Sequence, residues 1–205
     1  MSDFAVFAEG LAELDDFKNL KQDIRFAATK AINKIARDKR SRAARIIRDQ
    51  VNFPASYVSP GQKRLYVSKQ ATGGDLEARI TARGRATSLA RFVQGNPKPG
   101  KPGVYLTVAP GKSRYASRLF IVRLKGIDGQ TDSIRANLGL AIRLRPGESL
   151  KNKYSARKLA SGLYLLYGPS VDQVFRASDG TGVANSMVPE IQRDLSAEFL
   201  RLLKV

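Results

Sequence analysis

The sequence predicts an α+β fold: a long N-terminal helix, an antiparallel β-sheet or sandwich, and a closing C-terminal helix. Three observations on the 205 residues carry this. Apolar residues recur every three or four positions from Asp16 to Val51 with no Gly or Pro, short alternating runs between turn residues fill the middle, and a second helical stripe ends the chain. Strands do not alternate with helices, so a parallel doubly wound sheet is not expected.

The helix expected over residues 16–51 is marked by Phe17, Leu20, Ile24, Ala27, Ala31 and Ile35. At about 1.5 Å per residue it would reach roughly 50 Å, too long for one small domain to cover. Part of it is therefore expected to lie against a neighbouring subunit or to break between Lys39 and Arg42. Its second half carries Arg37, Lys39, Arg40, Arg42, Arg45 and Arg48 and leaves Ala43, Ile46 and Ile47 for packing.

A β-rich body is expected over 62–175. Arg64 to Lys69 and Leu76 to Ala82 flank Thr72-Gly73-Gly74-Asp75, a hairpin turn with Gly available for positive φ. A short amphipathic stretch, Ser88 to Val93, precedes an exposed loop over 94–103 with three Gly and three Pro. Val104 to Ala109, Leu119 to Lys125 and Leu138 to Leu144 read as strands; in the second, Phe120, Val122 and Leu124 form the apolar face. Lys151 to Lys158 reads as a basic loop containing Lys151, Lys153, Arg157 and Lys158. An apolar strand, Leu163 to Tyr167, stops at the structural turn Gly168-Pro169-Ser170. The closing helix, 187–204, has Pro189 in its first turn, Glu190 at the positive end of the dipole, and Ile191, Leu195, Phe199 and Leu202 in one stripe. The chain is read as a single domain, 1–205.

Composition narrows the chemistry. The chain has no His, no Cys and no Trp, which removes most neutral-pH acid–base and thiol mechanisms and any Cys/His zinc site. Carboxylate, Lys, Tyr or Ser chemistry with an oxygen-bound divalent metal would remain. Pro110-Gly111-Lys112-Ser113 resembles the end of a phosphate-binding loop, but Leu106 stands where that loop needs Gly. Asp75 and Glu77 echo a metal-dependent nuclease site with few other acids nearby. No enzyme activity, cofactor or metal is expected.

The formal net charge of +18 lies in the middle of the chain, where residues 17–171 hold 32 Lys+Arg against eight Asp+Glu. Such a field draws phosphate backbones or acidic proteins. No apolar run of about 18 residues occurs and the first 16 residues are acidic, so a soluble cytoplasmic product without a membrane partner is expected. Aromatic residues make up 8% and are not interleaved with the bases, and no sequence-reading motif is present.

Leu165-Leu166-Tyr167-Gly168-Pro169-Ser170-Val171, then Val174-Phe175, then Pro189-Glu190-Ile191 with Leu195, Glu198-Phe199 and Arg201 resembles the minor tail protein Z, or tail completion, family of long-tailed bacteriophages. The Ala-rich helix from Ala27 to Ala36, running into a basic segment, agrees. The resemblance implies a non-enzymatic virion component that completes the head-proximal end of the tail and enables head–tail joining. It also implies a homo-oligomeric ring, with the tail terminator and head–tail connector as partners and nonspecific contact with packaged DNA. The basic helix half and basic loop would then face DNA or acidic partners. The alternative is a nonspecific nucleic-acid-binding protein of ribosomal or nucleoid type.

Overall fold

The computed structural model describes residues 2–6, 22–124, 138–150, 156–177 and 182–203. Its architecture is α+β, as expected, and the chain forms two compact units. The first comprises Met1–Ile47, Pro54–Gly84 and Val171–Val205, the second Arg48–Phe53 and Arg85–Ser170.

Helix α1 (Gln22–Gln50) runs unbroken for 29 residues, about 43 Å; positions 16–21 of the expected helix lie outside the described residues. The break expected between Lys39 and Arg42 does not occur. No helix-breaking residue stands there, and Ala36, Lys39, Arg40 and Ala43 are all buried, so tertiary contacts hold that turn on more than one side.

In the first unit, β1 (Ser2–Val6), β2 (Leu65–Lys69) and β3 (Ala78–Ala82) form an antiparallel sheet in the order β1-β3-β2. Strand β1 was not foreseen, because its partner β3 lies some 75 residues away and five residues alone carry little pattern. The Gly73-Gly74 turn is as expected: Thr72 and Asp75 exchange backbone hydrogen bonds of 2.7 and 3.2 Å. Ile32 and Ala36 of α1 pack on Ala71 and Ala78, with Val67, Leu76 and Leu195 around them. Small side chains at this contact let helix and hairpin approach closely. Asn33 fixes their register, since its Nδ2 donates to the Ala71 carbonyl at 2.9 Å and its Oδ1 accepts from the Ala71 N–H at 2.8 Å.

The same unit ends with α2 (Val171–Arg176), α3 (Val183–Ser186) and α4 (Val188–Leu203). Helix α2 corrects the β-rich reading of the body up to 175. Its sequence is one and a half turns long, below what periodicity detects, and an i,i+4 pair between Asp172 and Arg176 (2.8 and 2.9 Å) supports it.

In the second unit, β4 (Thr87–Ser88), β7 (Leu119–Arg123), β8 (Leu138–Arg143) and β10 (Leu163–Gly168) form an antiparallel sheet in the order β4-β10-β8-β7, with β9 (Ala156–Ala160) also paired to β10. A hairpin, β5 (Val104–Ala109) and β6 (Lys112–Ala116), turns at Pro110-Gly111. Val93, Val104, Ile121 and Leu140 make the buried cluster. Ile121 corrects the reading of β7: it comes from the face opposite Phe120 and Val122 and is 3% exposed. Alternation offered two faces, and packing against Val104 selected the one with Ile121.

The β9–β10 turn requires a glycine. Gly162 has φ 66°, and a Cβ there would lie 2.9 Å from the Leu144 carbonyl oxygen, which no side-chain motion relieves. Gly162→Ala is expected to cost about 1–2 kcal/mol, read from urea unfolding.

Gly168 ends β10 opposite Thr87, where a Cβ would stand 2.9 Å from Leu89 Cδ2. Ser170 is 1% exposed, and the chain leaves the second unit between Ser170 and Val171. The Gly168-Pro169-Ser170 turn therefore forms the last three residues of the second unit's sequence.

Candidate functional site

The sequence reading groups six bases of α1 on one surface; the fold divides them. Positions four apart on a helix share a face, which puts Glu190, Asp194 and Glu198 of α4 in one acidic row. That row meets α1. Lys34 Nζ lies 2.8 Å from Glu198 Oε2, Lys39 Nζ 2.5 Å from Asp194 Oδ2 and 3.0 Å from Glu190 Oε2, and Arg42 Nη2 3.1 Å from Glu190 Oε1. Positions rise along α1 as they fall along α4, so the helices run antiparallel and are joined by charge along this seam.

Two corrections follow. Lys39 is 5% exposed and bound to its own chain's carboxylates, and Arg40 is 7% exposed. Arg40 Nε donates to the Leu65 carbonyl at 2.8 Å, and its Nη2 donates to that of Val58. Neither faces DNA or a partner. Arg42 is exposed but paired. Arg48 is exposed and donates to the Phe53 carbonyl at 3.3 Å. Arg37 and Arg45 are exposed without a side-chain partner among the described residues.

Electrostatics match this geometry. Arg201 and Lys34 push the Glu198 carboxyl down to about 2, and Lys39 holds Glu190 and Asp194 below the usual carboxylate range. Burial opposes the charge on Lys39, but its hydrogen bonds to Asp194 and Glu190 outweigh it and the ammonium pKa rises. Depressed carboxyl pKa values stabilise the fold above the unfolded value near 4 and lose that contribution as pH falls through the folded one. Stability is therefore expected to fall between about pH 4.5 and 2. Glu198→Gln should flatten the pH dependence of the urea midpoint in that window.

The other sequence candidates resolve as ordinary structure. Lys69 Nζ sits 2.6 Å from both Asp75 Oδ2 and Glu77 Oε2, with Arg79 2.9 Å from Glu77, so a cation of the chain already stands between the two carboxylates. Among the described residues, no group of three or more acids could hold a metal ion. Pro110-Gly111-Lys112-Ser113 is the β5–β6 hairpin turn and opens no helix. Lys151 and Lys153 lie outside the described residues. Arg157 and Lys158 correct the basic-loop reading: they belong to strand β9, where both are exposed.

The larger basic feature is the second unit itself. Its stretches of sequence contain 17 Lys+Arg and four Asp+Glu, net +13, whereas those of the first contain 19 and 14, net +5. Residues 78–127 hold eleven Lys+Arg and no acid. That run is visible in the sequence and is the signal that would have found this surface. In the second unit, Arg118 forms a bidentate pair with Glu148 (2.6 and 3.0 Å), which pushes the Glu148 carboxyl down to about 2. By contrast, Arg85, Lys112, Arg114, Arg123, Arg157 and Lys158 are exposed without a side-chain partner among the described residues. The first unit pairs several of its bases, among them Lys34, Lys39, Arg42 and Lys69, with its own carboxylates, whereas the second leaves more of its bases to solvent and to whatever anion approaches.

No protein-family model matches the chain, and no similar curated protein or solved structure is found. No helix among the described residues is long and apolar enough to cross a membrane.

Proposed function

We propose that this chain is a structural protein of a long-tailed phage, completing the head-proximal end of the tail and enabling head–tail joining without turnover. The observation that carries the polyanion-facing part is the concentration of net +13 in a unit where Arg85, Lys112, Arg114, Arg123, Arg157 and Lys158 are exposed without carboxylate partners among the described residues. A protein seated where DNA passes from head to tail needs such a surface, and the first unit, of lower net charge, suits docking to protein. The placement in a tail rests on the sequence resemblance around Gly168-Pro169-Ser170 and the closing helix. Tail terminator and head–tail connector proteins are the proposed partners, in a homo-oligomeric ring.

Electron microscopy of particles from a phage lacking the gene, with an infectivity count, tests this. Complete tails and filled heads that do not form infectious virions are expected. Normal infectious virions would overturn the tail reading and leave a nonspecific nucleic-acid-binding protein, which the same basic unit supports.

A further inference from the structure

We infer that the outer face of the β5–β6 hairpin is a binding surface for single-stranded nucleic acid, with Tyr105 and Tyr115 stacking on unpaired bases and the exposed bases near them in the chain, Lys101 in the preceding loop and Lys112 and Arg114 at the alternate positions of β6, drawing the phosphates. This rests on the reading that the second unit faces nucleic acid, and specifies where and how.

The hairpin register sets Tyr105 directly opposite Tyr115, with ring centroids 5.0 Å apart and planes at 47°. The two rings are 56% and 59% exposed. Core packing does not account for them: Val104, Leu106 and Ala116, on the alternate face of the same strands, supply the hairpin's share of the apolar cluster. The Tyr115 ring also lies against the loop that precedes the hairpin. Gly103 has φ 95°, and a Cβ there would lie 2.4 Å from the Tyr115 hydroxyl, so the ring occupies space that only glycine leaves. Beside the rings, Gln94 Nε2 donates to Thr107 Oγ1 at 2.6 Å, and Ser113 Oγ donates to Gln94 Oε1 at 3.2 Å.

Charge selects the occupant. Lys101, Lys112 and Arg114 are exposed with no side-chain partner among the described residues, and the hairpin lies within the acid-free run 78–127. A surface with one sign of charge takes a polyanion, and exposed rings beside it favour one whose base faces are accessible. Duplex bases are already stacked on each other, which favours a single strand.

The test is fluorescence anisotropy of the full chain with a labelled oligothymidine of about 20 nucleotides and a duplex of equal length, spanning a single-strand site of this kind. The single strand is expected to bind more tightly. Tyr105→Ala/Tyr115→Ala should weaken it about tenfold or more while changing duplex binding less than about twofold. Tyr105→Phe/Tyr115→Phe, which keeps the rings, should bind like wild type and separates stacking from folding. Lys112→Glu/Arg114→Glu should weaken both ligands and lower the salt dependence. Wild-type binding that is equal for both ligands and indifferent to the tyrosines would overturn the stacking surface and leave the polyanion reading standing. Binding to neither would overturn both. Self-association lost in the alanine double variant, with oligonucleotide binding unchanged, would assign the face to a second copy instead.

Discussion

Arg40→Ala is expected to destabilise the protein by about 3 kcal/mol, the largest effect of any single basic residue on α1. Arg40 is 7% exposed, and burial pushes its guanidinium pKa down, yet it remains charged because arginine titrates far above neutrality. It donates to the carbonyls of Val58 and Leu65. Truncation removes two charge-assisted hydrogen bonds, leaves two acceptors without their donor and vacates the space of the side chain. Arg40→Met refills the space without restoring the donors, so an intermediate loss is expected. Arg37→Ala, on the exposed side of the same helix, should stay within about 0.5 kcal/mol. Urea unfolding followed by circular dichroism measures all three; a loss below about 1 kcal/mol for Arg40→Ala would show that the two carbonyls find other donors.

Lys39→Ala is expected to cost about 2 kcal/mol. Removing one partner from a fully buried ion pair costs about 3–5 kcal/mol, and the figure is reduced here because the side chains of Glu190 and Asp194 are 30% and 35% exposed and rehydrate. Lys39→Glu would set a third carboxylate against those two and should unfold the α1–α4 seam at neutral pH. This changes how the basic helix can be tested. Under the proposed function, charge reversal at Lys39 or Arg40 would abolish head joining through loss of the fold. Reversal at Arg37, Arg45 and Arg48 removes exposed bases and should leave the thermal midpoint within a few degrees of wild type. Normal head joining in that triple variant would confine the proposed polyanion-facing surface to the bases of residues 85–170.

The α+β class, both terminal helices, the Gly73-Gly74 turn and the irregular loop 94–103 were legible because each depends on neighbours within a few residues. Strands β1 and β9 and helix α2 were not. Each is five or six residues long, too short for periodicity to register; β1 in addition pairs with β3 some 75 residues away, and β9, with Arg157 and Lys158 exposed, is a strand through its pairing with β10. In β7, alternation was legible and the buried face was not, since Ile121 is selected by Val104 of another strand.

The same distinction governs the candidate site. By itself the sequence determined the absence of His and Cys, the net charge, and the acid-free run from 78 to 127; these are counts that folding cannot alter. Only the tertiary structure decided which bases remain available. Lys39 and Arg40 look like Arg37 and Arg45 in sequence, but the carboxylates that bind Lys39 lie about 150 residues away, and the carbonyls that bind Arg40 belong to another segment. A charge is neutralised by what is near it in space. Helical periodicity predicts which residues share a face; only packing decides what that face meets.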